Sequence, residues 1–166
     1  MPEPALTVIA DTTPLIALAL IGQLDILRQL YSAIAIPPAV DAELVAGGSG
    51  APGVAAVHAA PWIRAVPLHD PRRADLIADL DRGEAEVLAL AQELNASLVI
   101  IDERLARRHA RRLGLRLTGS VGVLLRAKKH GYIVAVKPLL TQLRSSGIRL
   151  SDALVEEALR LAREAP

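Results

Sequence analysis

Four acidic residues stand at positions where carboxylates could act together, although they lie far apart in the chain. Asp11 follows the apolar run Thr7-Val8-Ile9-Ala10, and Asp102 follows the apolar stretch 97–101. Each run has the length and composition of a buried strand. Ligands of open α/β sheets bind outside the carboxyl ends of the strands, so two acids are expected on one functional edge. The competing reading makes each Asp the N-cap of the helix that follows it. Glu84 lies in Asp81-Arg82-Gly83-Glu84-Ala85-Glu86 and shares a helical stripe with Val87, Leu88, Ala91 and Leu94. It is expected to face inward at a helix start, with Glu86 on the side of Glu93 facing solvent. A capping box with Asp81, three residues earlier, explains Glu84 equally well. Glu43 follows Val40 by three residues and could also point to the core, but Asp41 competes beside Leu44 and Val45, and the weak periodicity does not choose between them.

Carboxylates gathered without cations repel, and some must take up protons. A hard divalent cation removes the conflict, and magnesium favours oxygen ligands, retained waters and phosphate oxygens. Two such ions about 3.5–4 Å apart can activate a water and stabilise a leaving oxygen in phosphodiester cleavage. That chemistry needs no histidine base. His58, His69, His109 and His130 show no paired ligand spacing and are read as surface or structural residues.

These acids need a frame, and the apolar pattern supplies one. Strands are expected at 7–10, 33–36, 63–66, 97–101 and 115–118. Helices are expected from Pro14, the first helical position after an Asp or Thr cap, to Gly22, and over 24–31, 38–46, 54–60, 71–80, 83–94, 103–113, 121–130, 137–145 and 151–164. Gly114 marks a left-handed helix end. Strand and helix alternate through 81–118, which predicts a parallel sheet covered on both faces. The chain of 166 residues is read as a single domain over 1–166, and the glycine-rich stretch 47–53 as a loop.

Composition narrows the function. Hydrophobic residues make up 52%, enough for a core, but aromatics only 2%, so modules that bind bases on aromatic platforms are nearly excluded. The absence of cysteine excludes disulfides, thiolate metal sites and cysteine nucleophiles. A net charge of +1 requires any nucleic-acid contact to be local. The start Met1-Pro2-Glu3-Pro4 lacks the basic region of a signal peptide, and the longest apolar run, 14–21, falls short of the roughly 20 residues of a membrane span. A soluble cytoplasmic protein is expected.

Several segments together make the chain recognisable. They are Val8-Ile9-Ala10-Asp11-Thr12-Thr13-Pro14-Leu15, Ile36-Pro37-Pro38-Ala39-Val40-Asp41-Ala42-Glu43-Leu44, Gly83-Glu84-Ala85-Glu86-Val87-Leu88, Leu98-Val99-Ile100-Ile101-Asp102-Glu103-Arg104 and Thr118-Gly119-Ser120-Val121-Gly122-Val123-Leu124, with Lys137-Pro138-Leu139-Leu140 near the end. In this order they resemble the PIN-domain family, and within it a subfamily of short prokaryotic PIN-like proteins. The resemblance implies a three-layer α/β/α sandwich around a central, mostly parallel sheet. It assigns the catalytic and metal-binding acids to Asp11, Glu43, Glu84 and Asp102, choosing Glu43 over Asp41, and makes Thr12 or Thr13 a supporting hydroxyl. It implies Mg2+ or Mn2+ and cleavage of single-stranded RNA, and it points to a VapC-like toxin held by an antitoxin protein, to a homodimer and to no membrane. The apolar helix 15–21 could serve such a dimer or simply the core. Ile100 and Arg104 stand where the family often has Thr and an acid or Asn, which keeps a second reading open: a catalytically weak or inactive module that binds RNA or protein.

The stretch from Asp102 to Arg116 carries six arginines against two acids, a local charge of +4. Arg104, Arg107, Arg108 and Arg111 share one helical face and could bind RNA phosphates beside the acids. A solvated arginine face is the alternative. Arg126, Lys128 and Lys129 form a weaker candidate. The stretch Gly48 to Gly53 matches G-x-G-x-x-G but follows a helix and contains Pro52, which excludes a dinucleotide loop. A phosphatase using Asp11 as nucleophile would want an acid at position 13, which is Thr13.

Overall fold

The computed structural model describes residues 6–48 and 50–166. The readings made on Met1 to Pro4, and on Ser49 within the glycine loop, lie outside the described residues. Five short strands form one parallel sheet: β1 (Val8–Ala10), β2 (Ile34–Ile36), β3 (Ile63–Ala65), β4 (Leu98–Ile100) and β5 (Leu117–Thr118). The order is β3-β2-β1-β4-β5. The chain leaves β1 toward β2 and β3, then returns across the sheet to β4 and β5 on the other side of β1. The order therefore reverses between β1 and β4, where open α/β sheets place their ligands. Register pairs Ala10 with Ile100, and the Asp11 amide donates to the Ile100 carbonyl at 3.0 Å. Asp11 and Asp102 thus leave the sheet from adjacent strands at one edge.

Ten helices among the described residues cover the sheet. α1 (Thr12–Leu20) and α2 (Asp25–Tyr31) pack apart from α6 (Arg82–Glu93) and α7 (Arg104–Arg112), as right-handed crossovers running in opposite directions along the sheet require. α1 and α2 pack on α8 (Ser120–Lys129), while α6 packs on β1, β4, α3 (Pro38–Ala46), α5 (Arg72–Asp75) and α7. α4 (Val54–His58) covers α1, and α10 (Asp152–Ala162) covers α8, reached through α9 (Lys137–Ser145). This is the α/β architecture with helices on both faces that the pattern and the resemblance imply. The core is aliphatic: Ile9, Leu15, Leu18, Leu27, Leu88, Leu90, Ile100 and Leu124 are almost wholly enclosed. Leu15, Ala17 and Leu18 of α1 have no exposed surface, so the core claims that side of the helix. No single helix among the described residues is long and apolar enough to cross a membrane.

All the expected elements form, with ends shifted by no more than two residues, except that the helix expected over 71–80 shortens to Arg72–Asp75. Three differences stand out, and the first and last have a physical cause. Pro14 is the third helical residue rather than the first; the first-turn amides have no partner inside the helix, so the missing N–H costs nothing there. β4 stops at Ile100, which puts Asp102 two residues beyond the strand. Glu86, expected in solvent, is buried, because α6 is enclosed on nearly every side and leaves no solvent face for it. Its carboxylate accepts from the Ala39 amide at 3.0 Å and from Arg82 Nε at 2.7 Å. Arg82 also pairs with Asp75.

Glu86 therefore anchors the first turn of α3, the helix that carries Glu43. Replacing Glu86 with alanine strands the part-buried Ala39 amide and one side of Arg82. The expected loss is about 1–3 kcal/mol of folding stability, read as a lower urea midpoint with unchanged slope. An unchanged midpoint would show that the contact does not hold α3.

Candidate metal and nucleic-acid site

Asp11 begins α1 with extended backbone angles (φ −83, ψ 169), yet its carboxylate makes no capping hydrogen bond. It is 5% exposed. Burial pushes its pKa up to about 6; the Thr12 amide offsets part of this, and the charges of Glu43, Asp81 and Asp102 add to the rise. Asp102 does not cap the helix after it either. Glu103 does that, accepting from the Ala106 amide at 2.8 Å. Asp102 instead reaches the start of α8, where Oδ1 accepts from the Ser120 amide at 2.8 Å and Oδ2 from the Ser120 hydroxyl at 2.5 Å. The capping reading thus fails for Asp11, and for Asp102 it holds for a helix 18 residues away.

Glu84 does form the capping box. Its amide donates to Asp81 Oδ1 at 2.8 Å, and its Oε2 accepts from the Asp81 amide at 3.3 Å. It is half-buried at the helix start rather than directed fully inward. Burial, with Asp81 next in effect and Asp11 and Glu103 contributing, pushes its pKa up to about 7. Glu43 is exposed on α3, and its Oε2 accepts from Thr12 Oγ1 at 2.7 Å. Thr12 therefore supports Glu43, whereas Thr13 is exposed and lines the neighbouring cleft. Two glycines let the acids approach: a Cβ on Gly83 would overlap the Glu43 carboxylate, and one on Gly119 would overlap Asp102 Oδ1 and lie 3.1 Å from Arg107 Nη1.

The four acids thus reach one edge of the sheet. Among the described residues none of them has a basic group within ion-pair distance. Also among the described residues, no three acids converge on a common point in metal-binding geometry. The residues fit a hard divalent cation by donor chemistry and by uncompensated charge. Their oxygens meanwhile rest on Thr12, the Asp81 amide and Ser120.

The arginine face divides. Arg107 is half-buried, donates from Nη1 to the Ile101 carbonyl at 2.8 Å, and lines a cleft of about 790 Å3 together with Glu84, Asp102 and Glu103. Burial holds its pKa below the usual arginine value, Arg111 adds to the depression, and Asp102 opposes it. Arg104, Arg108 and Arg111 are exposed on α7 outside that cleft. Ile100 lies in the core with no exposed surface. Among the histidines, His109 Nε2 meets Asp79 at 2.9 Å and His130 stacks on Tyr132; neither reaches the acids. Sequence reasoning missed Ser120 and Gly119 as partners of Asp102, whereas the Asp81 capping box at Glu84 was expected and is present. The run Thr118-Gly119-Ser120 carried the only signal for Ser120 and Gly119, and it carried no role.

The raised Asp11 pKa makes stability depend on pH. An unfolded Asp ionises near 3.8 and the folded one near 6, so ionisation opposes folding, and stability is lost as pH rises between these values. In EDTA, Asp11→Asn is expected to be more stable than wild type at pH 8 by up to roughly 3 kcal/mol. The difference should vanish near pH 4 in thermal melts. A gap that does not change with pH would contradict the raised pKa.

Comparison with known proteins bears on the family rather than on the individual acids. No curated protein matches the chain. The family model described as DUF3368: PIN domain matches residues 7–164, which takes in all four acids and every strand of the sheet. PIN domains are typically nucleases and generally bind divalent metals. The chain belongs to the PIN-domain family.

Proposed function

We propose that the protein is a divalent-metal-dependent ribonuclease acting on single-stranded RNA, with Asp11, Glu43, Glu84 and Asp102 holding Mg2+ or Mn2+. The observation that carries this reading is the group of carboxylates without cationic partners, two of them with raised pKa, at the β1–β4 switch point. The ions, when bound, supply charge neutralisation and a more acidic water at a phosphodiester. The chain's own residues do the rest. Asp11 offers the most enclosed carboxylate. Thr12 orients Glu43, and Ser120 orients Asp102. Asp81 holds Glu84 at the start of α6. Arg107 lines the cleft beside Asp102, and Arg104, Arg108 and Arg111 extend the positive surface for backbone phosphates. The proposed biological role is that of a toxin held by an antitoxin protein, acting in the cytoplasm as a homodimer.

One observation favours a second reading. No three acids among the described residues converge, and both Asp102 oxygens rest on Ser120. This favours a module that binds RNA or protein without cutting.

The two readings separate in one assay. Purified protein with Mg2+ or Mn2+ should cleave single-stranded RNA. EDTA should abolish cleavage. Asp11→Asn should lower it more than about a hundredfold, beyond the 10–100-fold typical of residues that only support a metal ligand. RNA binding without cleavage across metals selects the second reading. For the toxin role, induced expression should arrest growth with wild type and not with Asp11→Asn. Light scattering at increasing protein concentration should give twice the chain mass for the homodimer.

A further inference from the structure

We propose that the cleft beside the acids, walled by α7, α8, α10 and the turn joining α9 to α10, is a nucleotide subsite that holds the base and sugar next to the phosphate presented to the acids. This names a substrate position for the nuclease reading and rests on that reading for its purpose, though not for its affinity.

The cleft holds about 790 Å3, within the range of built ligand sites and ample for one nucleotide. Its polarity is graded. Glu84, Asp102 and Glu103 lie toward the acid edge; Val121, Leu125, Ile148, Leu150 and Leu154 supply apolar wall; Arg107 and Arg149 supply positive charge. Apolar surface flanked by arginines and opening onto a cation-seeking carboxylate group suits a chain of phosphates that carries flat, weakly polar bases. The wall is braced. Arg144 Nη2 donates to the Leu150 carbonyl at 2.7 Å and to Asp152 Oδ1 at 2.8 Å, while the Leu154 amide donates to Ser151 Oγ at 3.1 Å. Arg107 is braced as well, since one nitrogen is tied to the Ile101 carbonyl. Its other donors remain for a ligand, in a fork suited to phosphate. No Phe, Tyr or Trp lines the cleft, so a base would lie against aliphatic side chains and the Arg107 plane. Leu154 is 43% exposed inside this cleft, apolar surface that a bound base would cover.

The test uses the full-length protein in EDTA and a fluorescein-labelled hexamer of uridine, read by fluorescence anisotropy. Leu154→Asn removes apolar wall without changing charge, and Arg149→Glu inverts one cation; both positions are exposed, and thermal melts check that the variants fold. Arg64→Glu, on the strand at the far edge of the sheet, is the charge control. Leu154→Asn is expected to weaken binding about fivefold and Arg149→Glu about tenfold, with Arg64→Glu within about twofold of wild type. Binding that Arg149→Glu weakens but Leu154→Asn does not marks a charged surface without a base pocket and overturns the subsite. So does affinity unchanged by both, equal loss in all three variants, or no binding by wild type. Metal-dependent cleavage by wild type is measured separately. Cleft-dependent binding without cleavage removes the nuclease reading and leaves the subsite standing; cleavage with cleft-independent binding does the reverse.

Discussion

Like charges brought to the ends of β1 and β4 repel one another, and the rest of the molecule has to hold them against that repulsion. The sheet begins the work: parallel pairing of Ala10 with Ile100 sends Asp11 and Asp102 out side by side. Each remaining acid is then fixed by a local device. α3 is tied at its first turn to Glu86, so Glu43 arrives opposite Thr12. The capping box stations Glu84 at the mouth of α6. The start of α8 takes hold of Asp102. Asp11 differs from the other three in being almost fully enclosed, and its affinity for a proton rises accordingly.

These devices give the acids a resting arrangement. Three of the four carboxylates satisfy at least one oxygen with a neighbouring hydroxyl or amide. A bound cation would compete with Thr12, the Asp81 amide and Ser120 for those oxygens. The positions of the acids come from the backbone, while the directions of their side chains are set by partners of ordinary hydrogen-bond strength. An edge rich in charge but not yet convergent follows from that combination.

Some of this was legible in the sequence because it depends on local pattern. Asp11 and Asp102 stand out because short apolar runs precede them, and the alternation over 81–118 announces a parallel sheet. Glu43 was not legible in the same way: α3 exposes Glu43 and half-buries Asp41, so periodicity could not separate them and only the family resemblance did. Glu86 misled for a related reason. Stripe arguments assume one wet face, and α6 has almost none, so Glu86 went inside with Arg82 and the Ala39 amide as partners. The arginine face was visible as spacing, but which arginine enters the cleft depends on the Ile101 carbonyl, a tertiary fact. Ser120 was invisible because it binds an acid 18 residues away, a distance that no helical or strand period marks.

Gly83 and Gly119 carry a consequence for sequence change. At both positions the space that the smallest side chain needs is already filled by a carboxylate. The two are not equally tolerant. The Glu43 carboxylate sits at the far end of a flexible, exposed side chain and can give way. Asp102 is shorter, tethered through both oxygens and flanked by Arg107, so it has nowhere to retreat. A side chain is therefore better tolerated at position 83 than at 119, and an alanine at 119 would disturb an acid, an arginine and the start of a helix in one step.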